Sequence, residues 1–384
     1  MSLRREQHVM CRAGSGRNPT QNPTKMYRIQ DYAYNGLLYL NNIMRPRHKR
    51  LSQLMIYATT ACQSRCLHCH IWQKPVEHLS LSDIQRLMAS RCVTRRTTVG
   101  LEGGEFILHP QADEIMEWFR QHHPNYTLLT NGLAPQRVAE VVRHHRPRHL
   151  YVSLDGGREA YLRMRGRDGY DRVIQLVEAL HSEVPLSLMF CLSPWNTLED
   201  MGFVIDVARR YGVDVRIGIY GTMAYMTEGA DKEHGTPDCG ILTKGTDGIR
   251  RKLLSTQENF DFMALYSQWR NGHLRLRCHS ILSSLVVHAN GDVPLCQNLA
   301  LTLGNIHRQT LDEIFNSRSS RQTQCRYARH CNACWINFHR KYDIILVRSL
   351  ERMMPKWMIE KLYGPYQWTD DPRQTYHNYM KAIQ

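Results

Sequence analysis

Between Leu54 and Tyr220, short apolar runs alternate with longer amphipathic ones, and that alternation leaves few folds open. The apolar runs read as strands over 54–59, 97–101, 127–130, 150–154, 186–192 and 213–219. The segments between them read as helices over 82–90, 111–122, 135–144, 170–181 and 197–211, with apolar residues at helical spacing. Pro135 suits the first turn of its helix, and Gly212 follows Tyr211 as a helix-ending glycine does. Near-continuous apolar strands alternating with helices imply an α/β fold: a parallel sheet covered by helices. Six such units make a partial (β/α)6, TIM-like barrel. In such folds, sites gather at the C-terminal ends of the strands.

Chemistry-bearing residues fall at those ends. The first strand runs into Cys62, Cys66 and Cys69, spaced CxxxCxxC. Three thiolates can hold three corners of a [4Fe–4S] cube, leaving the fourth iron open to a small molecule, whereas ordinary electron-transfer clusters use four cysteines. The competing reading is zinc, which needs four N/S ligands and would take His68 or His70 as its fourth. Gly103-Gly104-Glu105 follows the second strand, and Thr130-Asn131-Gly132 ends the third. Val152-Ser153-Leu154-Asp155-Gly156 ends the fourth, and Arg165-Gly166 follows ten residues later.

A second group of cysteines lies at Cys278, Cys296, Cys325, Cys331 and Cys334. Asn290-Gly291 between two β-like runs is a hairpin signal. Hairpin cysteines followed by CxxC also suit a zinc ribbon. Cys11, Cys92, Cys191 and Cys239 have no partners at metal spacing, and Cys191 reads as a small core residue inside a strand.

The order of these motifs resembles the radical S-adenosylmethionine (SAM) superfamily, over roughly residues 50–340. The second cysteine group is similar to that superfamily's auxiliary-cluster module, called SPASM, or Twitch in its shorter form. The full form carries seven cysteines and two clusters; five cysteines suffice for one. The resemblance therefore implies one SAM-binding [4Fe–4S] cluster on Cys62, Cys66 and Cys69. It also implies one auxiliary [4Fe–4S] cluster on Cys278, Cys296, Cys331 and Cys334, with Cys325 as the alternate. It further implies that Gly103 and Gly104 admit the methionine amino group of SAM and that Glu105 fixes it. Ser153 and Asp155 would bond its ribose or carboxylate, and Arg165 would pair with the carboxylate. His68 would pack near the adenine, and Ile217 or Ile219 would face it. The activity implied is reductive cleavage of SAM to a 5′-deoxyadenosyl radical that takes a hydrogen atom from a peptide or a small molecule such as a sugar. An external electron donor such as flavodoxin or ferredoxin is implied as partner. One departure stands out. In relatives that oxidise a side chain, an acid follows the second auxiliary cysteine, and here that position is Gln297.

Composition bounds the rest. The chain has 384 residues, 42% hydrophobic and 22% charged, as a globular protein does. No run of about 20 apolar residues exists, so no membrane-spanning helix is expected. Twelve cysteines without a secretory h-region argue for a reducing, cytoplasmic setting. Net charge is +15, with Arg outnumbering Lys about four to one. Such charge fits an RNA-modifying radical enzyme as an alternative reading. No aromatic-interleaved basic groove accompanies it, so nucleic acid is not expected as a partner. A non-catalytic iron–sulfur or zinc scaffold is the alternative from another class. The expected organisation is a disordered segment over 1–25, a barrel over 26–220 and a connecting loop and helix over 221–277. An auxiliary module over 278–338 and a basic aromatic amphipathic tail over 339–384 complete it. The tail carries Ile344, Ile345, Val347, Leu350 and Met354 on one helix face, continued by Trp357, Met358, Leu362, Tyr363, Tyr366 and Trp368. Such a stripe docks on the protein's own core or a subunit, or rests on a membrane surface.

Overall fold

The computed structural model describes residues 29–221, 223–227, 262, 265, 266, 269, 276–331, 334–351, 353–363 and 365. The expected disordered segment, most of the connecting loop and helix, and Tyr366 and Trp368 lie outside them.

A helix α1 (Ile29–Met44) leads into the barrel. Strands β1 (Gln53–Thr59), β2 (Thr98–Gly103), β3 (Tyr126–Thr130), β4 (His149–Ser153), β5 (Leu186–Leu192) and β6 (Asp214–Ile219) follow. They alternate with α2 (Leu81–Met88), α3 (Ala112–His122), α4 (Pro135–His145), α5 (Arg158–Arg165), α6 (Tyr170–Leu180) and α7 (Leu198–Tyr211). Local chemistry sets several of these ends. Ser80 with Asp83, and Thr197 with Asp200, form capping boxes that satisfy first-turn N–H groups of α2 and α7. Gly212 closes α7 in the left-handed conformation, at φ 63°.

The strands form an all-parallel sheet in the order β6-β5-β4-β3-β2-β1-β7. The seventh strand is an addition to the six expected from the sequence. It is β7 (Ser284–Val287), from the second cysteine region, and it pairs parallel with β1 from Gln53↔Ser284 to Ile56↔Val287. The Asn290-Gly291 turn lies between strands of different sheets, although His288 N–H donates to Asp292 O across it at 2.9 Å. The chain does turn there, with Gly291 N–H donating to His288 O at 2.9 Å. Beyond the turn, β8 (Asp292–Pro294) pairs antiparallel with β9 (Thr302–Asn305) instead.

The strands are not apolar on both faces. Ile56, Val99, Leu101 and Leu150 point outward and form the core with the helices. The alternate positions point into the barrel: Met55 and Tyr57 on β1, Gly100 and Glu102 on β2, Tyr151 on β4, and Arg216 on β6. An open six-unit barrel has too few inward side chains to fill itself, so this face lines a cavity of about 360 Å³. One earlier reading changes for the same reason, that of Cys191, and another is narrowed to one of its two alternatives. Of Ile217 and Ile219, both packed in the core, Ile219 also lines the cavity, beside Gly218. Cys191 faces the cavity instead of the core.

Further α-helices are α8 (Ala224–Thr227), α9 (Leu311–Asn316), α10 (Arg318–His330), α11 (Asn337–Leu350) and α12 (Lys356–Tyr363). Ile344, Val347 and Ile359 of the tail are buried in the same core as the barrel residues. Trp357 stays 58% exposed. Among the described residues, no helix is long and apolar enough to cross a membrane.

The edge role of β7 gives a prediction. A chain ending at residue 277 leaves β1 with an unpaired, apolar edge. That truncation is expected to aggregate in light-scattering measurements under conditions where the full chain does not.

Candidate functional site

The loop after β1 carries Cys62, Cys66 and Cys69, and its backbone is bonded to the ends of two other units. Gly104 N–H donates to Thr59 O and Glu105 N–H to Ala61 O, both at 2.7 Å. Arg65 N–H donates to Arg165 O at 3.0 Å, and Leu67 N–H to Met164 O at 2.9 Å, at the end of α5. These contacts explain the glycines. A Cβ on Gly104 would sit 2.2 Å from Ala61 O, and one on Gly103, at φ +129°, 2.3 Å from Thr59 O. One on Gly166 would sit 2.6 Å from Arg65 O. Real Cβ atoms essentially never come so close, so two sequence motifs clamp the cysteine loop from opposite sides.

Side chains reinforce the clamp. Glu105 is buried and accepts hydrogen bonds from Thr130 Oγ1 at 2.8 Å and Asn131 N–H at 2.7 Å, tying the end of β2 to the end of β3. Burial pushes its pKa up to about 7. Asn131 Nδ2 lies 3.8 Å from Cys62 Sγ and 3.3 Å from Gln63 Oε1. The Thr130-Asn131-Gly132 motif carried this signal, but its asparagine was not among the expected site residues.

Asp155 and Arg165 form a buried ion pair at 2.6 Å. Asp155 also accepts Cys191 N–H at 2.9 Å, and Arg165 reaches to 3.6 Å from Cys66 Sγ. Burial alone would lower the pKa of Arg165. The Asp155 carboxylate and Cys66 thiol instead hold it above the ordinary arginine range. Arg165 thus places fixed positive charge beside Cys66. Ser153 lines the cavity at the end of β4. His68 also lines it, and burial lowers its pKa to about 4, so the ring is neutral at pH 7.

The donor set fits a metal cluster. Burial pushes the thiols of Cys62 and Cys69 up to about 11 and about 12, so a cation must be supplied to hold them as thiolates. Within the same loop, Ser64 Oγ, His68 Nδ1, His70 Nδ1 and Trp72 Nε1 are buried with no hydrogen-bond partner. Buried polar atoms are normally paired, so four orphans in one loop mark the seat of a bound group.

A second cleft gathers Cys278, Cys296, Cys331 and Cys334 with Leu295 and Tyr327. Cys325 is exposed on α10 and does not line this cleft. Burial raises the thiol of Cys296 to about 12 and shifts those of Cys278 and Cys334 upward. Beneath lies Arg340, fully buried, donating to Cys334 O at 2.9 Å and Leu276 O at 2.6 Å. Gln297 bridges the two regions. It follows Cys296, yet its Nε2 donates to Tyr57 Oη inside the barrel at 2.7 Å.

Fold and donor sets together define a class: a partial barrel with a three-cysteine cluster loop and a second cysteine cradle. Residues 56–221 match the model of the radical SAM superfamily, and residues 278–335 match that of the SPASM iron–sulfur cluster-binding domain. The chain belongs to the radical SAM superfamily and is a radical SAM enzyme with a SPASM domain; [4Fe–4S] clusters and SAM are its cofactors. It is similar to the antilisterial bacteriocin subtilosin biosynthesis protein AlbA of Bacillus subtilis (strain 168), at 21% identity over 313 residues. That match covers 74% of this chain and 68% of AlbA. It is also similar to a probable GTP 3′,8-cyclase of Saccharolobus solfataricus, at 27% identity over 171 residues. The chain spans 55% of that relative, and the match takes 43% of this chain. Among solved structures, Streptococcus suis SuiB bound to S-adenosylmethionine shares the fold, with a TM-score of 0.57 and 14% identity. The likeness covers 78% of this chain and 74% of SuiB.

The Asp155–Arg165 pair generates a prediction. Arg165→Met leaves a buried carboxylate unpaired, which costs about 3–5 kcal/mol. Denaturant unfolding followed by circular dichroism is expected to show that loss. A variant as stable as wild type would place the pair outside the fold's support.

Proposed function

We propose that this enzyme cleaves SAM reductively and removes a hydrogen atom from a residue of a peptide substrate. The observation that carries the proposal is the clamped three-cysteine loop with its orphaned polar atoms at the mouth of a lined cavity. On this reading Cys62, Cys66 and Cys69 hold the SAM-binding cluster within a barrel over 26–220. Cys278, Cys296, Cys331 and Cys334 hold one auxiliary cluster in a module over 278–338. When bound, the cluster and SAM supply a 5′-deoxyadenosyl radical.

The chain's own residues position and shield. Gly103 and Gly104 bring the β2 end and the cysteine loop together, which leaves a main-chain surface for the amino group of SAM. Glu105 braces that surface. Ser153 and the neutral His68 offer hydrogen bonds and a flat ring to the nucleoside. Arg165 steadies Cys66 and keeps one N–H, its Nε, without a protein partner. That N–H suits the SAM carboxylate. The cavity walls exclude water from a reactive radical.

A peptide is favoured over a sugar by the relatives. AlbA is a bacteriocin biosynthesis protein, and SuiB has been solved bound to the precursor peptide SuiA, with a TM-score of 0.54 and 15% identity. An external reductant of the flavodoxin or ferredoxin kind completes the system.

Two measurements test this. Anaerobically reconstituted wild type is expected to hold about eight irons, four per cube. Replacing Cys62, Cys66 and Cys69 with Ala is expected to remove about half of them, and zinc in place of the second cube would overturn the auxiliary assignment. With a strong reductant, wild type is expected to form 5′-deoxyadenosine and Cys66→Ala to form none. A fully clustered wild type that forms none would favour a scaffold.

A further inference from the structure

One acid inside the barrel has no part in the scheme above. Glu102 ends the inward row of β2, one residue before the glycines that clamp the cysteine loop, and it lines the cavity. Its register partner on β1 is Tyr57. Gly100, the next inward residue of β2, leaves room for it: a Cβ there would lie 3.3 Å from Glu102 Oε1.

The neighbours of Glu102 do not neutralise it. Tyr57 on β1 and Tyr151 on β4 are near enough for the carboxylate to raise both their pKa values, after the larger effect of burial. Gln297 commits its amide to Tyr57 Oη at 2.7 Å. Arg216 on β6 pairs with Asp214 at 3.5 Å. The Cys69 thiol faces Tyr57 from the cluster loop. Among the described residues, no group donates a hydrogen bond to Glu102 and none forms an ion pair with it. Burial accordingly lifts its pKa to about 7, so near neutral pH it is poised between acid and anion.

A carboxylate in a cavity walled by tyrosines and methionines is costly until a cation reaches it. Tyr57, Tyr151, Met55 and Met189 suit the alkyl stem of a long basic side chain. We propose that Glu102 is a specificity-determining residue that receives a cationic group of the substrate, the ammonium or guanidinium of a basic peptide side chain, inside the barrel. This rests on the reading of the protein as a peptide-modifying enzyme.

The test uses n-butylammonium and n-propylguanidinium as probes, with n-butanol and butyrate as controls. Binding to the full-length, SAM-loaded and cluster-reconstituted protein is followed by saturation-transfer NMR. At pH 8 both cations are expected to bind at least about 10-fold more tightly than butanol, and butyrate more weakly still. A bound cation favours the ionised carboxylate, so affinity rises with pH. It is expected to fall about 10-fold from pH 8 to pH 6, as a group titrating near 7 takes up its proton. In Glu102→Gln the cation preference and its pH dependence are expected to vanish, and in Glu102→Asp, which keeps the charge, to return. Iron content shows which variants are folded, and the wild-type pH profile stands without them. Equal binding of cation and butanol by wild type, or the same pH profile in a folded Glu102→Gln, overturns the proposal. Formation of 5′-deoxyadenosine by wild type tests the enzyme reading separately, so a protein that forms it yet ignores the cations sinks only the inference.

Discussion

The close approach of the cysteine loop to two glycine motifs is the constraint on which the site depends. Three glycines stand where a Cβ would fall within 2.6 Å of loop carbonyl oxygens. Their absence of side chain lets Thr59, Ala61 and Arg65 bond to neighbouring backbone with ordinary hydrogen-bond lengths. The loop is thus held first by main-chain hydrogen bonds, with the side chains of Asn131 and Arg165 reinforcing them. Three thiols placed this way keep a fixed spacing whatever the surface of the protein does.

Around that clamp the charges are arranged to be met from inside. Asp155 neutralises Arg165, and Arg165 in turn lies beside Cys66. Glu105 is saturated by Thr130 and Asn131. Each of these groups is engaged by the protein itself. They form a rigid frame around the space where SAM is proposed to lie. Glu102, one residue from the clamp, is the contrast: it is inward, acidic and without such a partner among the described residues.

The second cysteine module is structurally part of the barrel. Its strand β7 extends the sheet beside β1, and Gln297 passes from the Cys296 loop to Tyr57 in the barrel wall. Elements that share a sheet and a hydrogen-bond path cannot move freely against each other. This coupling ties the cleft of the second cysteine group to the barrel wall whose mouth carries the first.

The sequence by itself determined the α/β class, six strands close to their true limits, and the motifs at their ends. Each of those is written locally: in apolar periodicity, in a proline or glycine at a helix end, or in cysteine spacing. The family resemblance implied Cys278, Cys296, Cys331 and Cys334 as one ligand set with Cys325 as the alternate; the four share a cleft, and Cys325 is exposed. What needed tertiary structure was the direction of each side chain. Strand β2 runs on to Gly103, past the limit of 101 read from the sequence, because an acid followed by two glycines looks like a loop. That hid Glu102 as an inward residue. Cys191 was misplaced for a related reason: a one-residue change of face is invisible in a strand read as apolar on both sides. The pairing of β7 with β1 was likewise decided in three dimensions, since a hairpin signal reports the turn and not which ladder the flanking strand will join.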